Sequence, residues 1–148
     1  MSTLVRFTST PARLQWWEWG KVLGVIGIIA VIVLLAAGVF VPPAIVALVL
    51  HIAGDFTFQS DQTAAHKEDR GRHLVAHALV AGGLPMAIAG LATGDPLTTL
   101  SWILVGTVTH YAVDWTRKFG IQSTMTGIVL DQIIHLATIV VVTQCKLG

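Results

Sequence analysis

Charge is scarce in this sequence: 11% of its 148 residues are Asp, Glu, Lys or Arg, against 54% that are hydrophobic. A soluble domain carries about a quarter of its residues as charges. The shortfall sits in long apolar runs, which puts a lipid environment ahead of other readings. Cysteine is nearly absent as well. Cys145 stands alone, which excludes an intrachain disulfide framework and a thiolate cluster. Any metal must therefore be held by nitrogen and oxygen. There is no basic surplus either: the net charge is +1, which carries no signal for nucleic acid, a partner that would need a clustered basic face, and none is expected. Alternating polar and apolar segments, which a membrane barrel needs, are also missing.

What remains is five apolar runs, at about 21–41, 43–58, 73–91, 97–115 and 124–145. Spanning runs without alternation are read as helices, because lipid offers the backbone no hydrogen-bond partner. Crossing the hydrocarbon core takes roughly 20 residues. Pro42 and Pro43 close the first run, and the second is short. Thr93-Gly94-Asp95-Pro96 reads as a turn. The expected fold is an all-α polytopic membrane bundle of about five transmembrane helices. Residues 1–20 form an interfacial leader, and 21–148 form one bundle domain with a polar connector at 59–72. The leader is rich in Trp and lacks the short apolar core and cleavage site of a signal peptide, so it is expected to be retained. Gly20 and Gly24 have a small-xxx-small spacing, used in helix packing and compatible with an oligomer.

Orientation follows from the basic residues. With alternating helices, Arg6, Arg13, Lys21, Lys67, Arg70, Arg72, Arg117 and Lys118 share one side, and only Lys146 falls opposite. The positive-inside rule makes that side, and the N-terminus, cytoplasmic. Trp16, Trp17 and Trp19 stand where an interfacial belt belongs.

The ionisable residues inside the runs are ordered. His51 and Asp55, His73 and His77, His110 and Asp114, and Asp131 and His135 each form an i, i+4 pair. Such pairs share one helix face. One pair lies on each of the last four helices, and alternation brings all four toward the cytoplasmic half of the membrane. An ionised group at mid-membrane costs about 2.5–3.5 kcal/mol on insertion scales, so three aspartates need compensation. Divalent cations would provide it. Imidazole with carboxylate suits zinc, manganese or iron, and eight ligands exceed the needs of one tetrahedral ion. Two ions are expected, in the manner of helix bundles that build dinuclear sites from four helices.

One such pair alone is more readily a hydrogen-bonded packing contact; four on one side favour a metal site. His66, in the connector, is read as solvated. Lys67, Arg70, Arg72, Arg117 and Lys118 are first of all topology determinants, and second a basic rim able to hold an anionic lipid headgroup. Haem is disfavoured by the neighbouring aspartates. A proton or cation pathway is disfavoured because the far half of each span is nearly all Val, Leu, Ile, Ala and Gly, with no polar stepping stones to continue it.

The chain also resembles a family of small membrane proteins of bacteria and their phages, the domain of unknown function 3307. The resemblance is carried by His51-x3-Asp55-Phe56-x2-Gln59, Ala65-x-Lys67, His73-x3-His77, His110-x3-Asp114 and Asp131-Gln132-x2-His135. It implies a multi-pass protein of the bacterial inner membrane and adds Gln59, Lys67 and Gln132 as site candidates. Motif and setting are similar to those of membrane-bound metal-dependent hydrolases, by analogy only. The expectation is a metal-dependent hydrolase of a lipid-linked or phosphoester substrate. The alternatives are a metal-stabilised scaffold, or a phage factor acting at the host membrane.

Overall fold

A computed structural model describes residues 11–58, 71–116 and 125–145. The described residues are helical and contain no strand. Five helical rods follow one another: α1 (Pro11–Ala36), α2 (Pro43–Thr57), α3 (Gly71–Leu91), α4 (Pro96–Trp115) and α5 (Met125–Gln144). They match the five apolar runs in order. The first differs at both ends. Its helix begins at Pro11, within the supposed leader, and stops at Ala36. Gly38 is the reason for the stop, with φ +74°, and the Val39 N–H reaches back to the Leu34 carbonyl at 2.9 Å. This is a Schellman closure, which only glycine adopts without strain.

Pro43 starts α2 at its first helical position, where a missing N–H costs nothing. Asp95 starts α4 by accepting from the Leu97 and Thr98 N–H groups at 3.1 and 2.9 Å. Two features were not legible in the periodicity. Within α2 the stretch Ala53–Thr57 is a π-turn, and within α3 so is Leu79–Gly83. Single π-turns inside α-helices often mark functional positions.

Helices α2, α3, α4 and α5 pack in a ring in chain order, closed by α2 against α5. Helix α1 lies outside the ring against α2. Its buried residues within 18–36 are Gly20 and Gly24, whose added Cβ atoms would strike Phe56 and Ala53 of the α2 π-turn. The small-xxx-small pair is thus used within the chain. Thr57 reinforces the contact by donating to the Lys21 carbonyl at 3.2 Å.

The polarity of the ring is inverted relative to a soluble bundle. Leu79, Leu84, Leu100, Leu104, Ile133 and Val141 are exposed, whereas His51, His77, His110, Asp114, Asp131 and His135 are buried. Ala47, Met86, Ala89, Trp102 and Ile139 form an apolar layer inside the ring. Two helical segments, Glu18–Ala36 and Gly71–Leu91, are long and apolar enough to cross a membrane.

Candidate metal centre

The four one-turn pairs sit at corresponding ends of the ring helices. His51 and Asp55 are near the end of α2, and His110 and Asp114 near the end of α4. His77 lies in the first half of α3, and Asp131 and His135 in the first half of α5. Antiparallel neighbours bring these positions to one level. Seven side chains meet there, each between 1% and 8% exposed. His73, one turn before His77, is half-buried and belongs to none of the ligating groups described below.

Short distances tie α2, α3 and α4 together and pair Asp131 with His135 within α5. Asp55 Oδ1 lies 3.1 Å from His77 Nε2 and 3.3 Å from His110 Nε2. Asp114 Oδ2 lies 3.3 Å from His77 Nε2, and Asp131 Oδ1 lies 3.4 Å from His135 Nε2. These separations are short enough for hydrogen bonds. Yet Nε2 of His51, His77, His110 and His135 is buried without a hydrogen-bond partner, although carboxylate oxygens stand within ion-pair distance of each. An unsatisfied buried polar atom is costly and calls for an explanation. Ligands of one metal ion have this geometry. Around a tetrahedral ion bound at about 2.0–2.1 Å, ligand atoms stand about 3.3–3.4 Å apart with their lone pairs converging rather than facing one another.

Three overlapping groups have ligand atoms within 4.8 Å of one another: Asp55 with His77 and His110, Asp114 with Asp131 and His135, and His51 with His110 and His135. The first two share no residue. Both fit the nitrogen and oxygen donor set that divalent transition metals take.

Contacts around the cluster orient it. The His51 Nδ1 stands 2.9 Å from the Ala81 carbonyl in the α3 π-turn. A carbonyl only accepts, so Nδ1 carries the hydrogen, and in the neutral ring the Nε2 lone pair then faces the cluster. Gln132 donates from Nε2 to Asp55 Oδ2 at 2.9 Å and, more weakly, to Asp131 Oδ2 at 3.3 Å. It holds carboxylates from α2 and α5 together. Ligand-orienting bonds of this kind fix geometry at metal sites.

Backbone proximity makes the convergence possible. A Cβ on Gly82 would stand 2.6 Å from the Gly106 carbonyl oxygen and 2.7 Å from His110 Cβ. A Cβ on Gly54 would stand 2.7 Å from Ala81 Cα. Helix α3 therefore touches both α4 and α2 at backbone distance, within one turn of the imidazoles. A small cavity adjoins the cluster, walled by His51, His110, His135, Gly82, Gly106 and Thr138.

Of the other candidates, Arg72 is exposed at the start of α3. Gln59, Lys67 and Arg117 lie outside the described residues. Gln132 entered the candidate set through the family resemblance alone, and the structure places it between two carboxylates. The Ala81 carbonyl was missed, because main-chain acceptors leave no residue signature.

Residues 44–147 match the family described as Protein of unknown function (DUF3307). No curated protein and no solved structure matches the chain. The family match covers more than two thirds of the chain and takes in every residue of the cluster, leaving α1 outside. The chain therefore belongs to the DUF3307 family.

Proposed function

We propose that this chain is a multi-pass protein of the bacterial inner membrane that holds two divalent transition-metal ions near the cytoplasmic face and hydrolyses a phosphoester or lipid-linked substrate there. The observation that carries the metal reading is the set of four buried imidazole Nε2 atoms without hydrogen-bond partners, spaced from carboxylate oxygens as ligands around an ion are spaced. The membrane reading is supported by the apolar exterior around a polar interior and by eight of nine basic residues on one side of the expected topology.

Bound divalent ions would lower the pKa of a coordinated water and polarise a phosphoryl or acyl oxygen. The chain supplies the rest. Lys67, Arg72 and Arg117 precede or follow ring helices on the cytoplasmic side of the expected topology, where they would hold an anionic headgroup. One of Asp55, Asp114 and Asp131 would serve as general base. The apolar layer beyond the cluster, with Met86, Trp102 and Ile139, argues against a through-going ion or proton path.

A second reading has its own support. The four imidazoles are only 1–3% exposed, as in closed structural sites, and a metal-stabilised scaffold would need no more. One experiment addresses both. Protein purified in detergent without chelator is analysed for metal beside a His77→Ala, His135→Ala double variant. Bound zinc, manganese or iron in the wild type and its loss in the variant support the centre; a metal-free wild type overturns it. Cobalt-substituted protein is then titrated with inorganic phosphate. A shifted visible spectrum supports an open coordination position and hydrolysis, and an unchanged one favours the scaffold.

A further inference from the structure

In a regular helix the Ala81 carbonyl would accept from the N–H of residue 85, and that residue is proline. Proline has no N–H. The α3 backbone is already loosened here, because the Leu84 N–H reaches back to Leu79 across the π-turn. The close approach of Gly54 to Ala81 brings α2 against this point of α3. The carbonyl left without its regular helical donor is the one that receives His51 Nδ1, at 2.9 Å in a buried setting.

We propose that Pro85 is a positioning residue for His51. By withholding a helical N–H from Ala81 it creates the acceptor that fixes the Nδ1–H tautomer and turns the Nε2 lone pair into the cluster. Pro85 is fully buried and does not belong to the ligating groups, so it acts on the centre only through the backbone and His51. A donor at position 85 would compete for the carbonyl and let the ring turn or change tautomer. The consequence for metal binding rests on the metal reading above; the consequence for the tautomer does not.

The test uses the full chain in detergent, labelled with 15N-histidine, with the His51 signals assigned by their loss in His51→Gln. In metal-free wild type, long-range 15N–1H correlation is expected to show His51 with the hydrogen on Nδ1. Pro85→Ala, which restores the N–H and favours helix, is expected to give a mixed or Nε2–H tautomer. It should also weaken zinc binding about 10–100-fold, the usual effect of losing a ligand-orienting bond. An α-hydroxy acid at position 85 forms an ester that lacks both the N–H and the proline ring. It is expected to restore the wild-type tautomer and affinity. Pro85→Ala protein with the wild-type tautomer overturns the proposal. So does an ester variant that behaves like Pro85→Ala, since the ring constraint would then be the cause. Wild type that shows the Nδ1–H tautomer but binds no zinc leaves the positioning intact and overturns the metal reading alone.

Discussion

The rings of His110 and His135 are stacked, with centroids 4.1 Å apart and planes inclined by only 16°. An imidazole lone pair lies in the plane of its ring, so an ion bound in the plane of one of these rings stands well outside the plane of the other. His110 and His135 are thus poorly placed to share one ion, which leaves His51 to join the group of one or of the other. The two disjoint groups, one containing His110 and the other His135, are not so constrained. This division leads to a stoichiometry. Elemental analysis is expected to give two ions per wild-type chain, about one in His110→Ala and about one in His135→Ala. The double variant at His77 and His135, which breaks both groups, should retain none. Simultaneous loss of all metal in both single variants would show one shared ion instead.

Gly82 stands where α3 and α4 meet at backbone distance. In Gly82→Ala the new methyl would face a carbonyl oxygen at 2.6 Å and the Cβ of His110 at 2.7 Å, and neither can swing aside. We expect a loss of roughly 1–3 kcal/mol, the usual range for overpacking, together with weaker metal retention. Gly71→Ala meets nothing within 4 Å and should stay within about 0.5 kcal/mol of wild type. Thermal unfolding of both variants in one detergent checks the contrast.

Gln132 donates to Asp55 and Asp131 from the same amide nitrogen. Gln132→Leu keeps the bulk and removes the donor, leaving two carboxylates to set their own orientation. A zinc titration should show affinity lower by about 10–100-fold with the helical circular dichroism unchanged. Unaltered affinity would mean that the packing of α2 on α5 is enough to orient the carboxylates.

Asp95 gives a dependence on pH that is separate from the cluster. Hydrogen bonds from Thr98 and Leu97 favour its ionised form and hold the carboxyl below its usual value of 3.8. Because the native value is the lower one, the cap's contribution is fully present above the ordinary carboxylate range. It is lost as pH falls through the native value. Asn is as good a cap as Asp, so Asp95→Asn should keep the neutral-pH melting temperature and lose this part of the acid dependence. Melting curves between pH 7 and the acid limit compare the two.

Much of this arrangement was written in spacing. A one-turn separation on each of four helices, with neighbouring helices antiparallel, is sufficient to place His51, Asp55, His77, His110, Asp114, Asp131 and His135 at one level. His73 is placed differently. It shares a face with His77 but stands one turn away, and periodicity assigns faces rather than depth along the axis. Helix α1 ends at Ala36, before the prolines at 42 and 43, because of the positive φ of Gly38, a backbone property that composition does not carry. The π-turns were invisible for a similar reason. They meet one another at Gly54 and Ala81, a tertiary contact that no window of sequence contains.

The closure of the ring by α2 against α5 carries a consequence for biosynthesis. The first His/Asp pair is made early and the last only when α5 emerges, so for most of translation the cluster is a fragment. Until α5 arrives, Asp55 lacks Gln132, and His110 lacks the ring it stacks against. Polar groups stranded in lipid are costly. On the membrane reading proposed above, a chain that stops before residue 125 would leave these groups unmatched in lipid, a chemical difference by which membrane quality control could tell it from the longer chain.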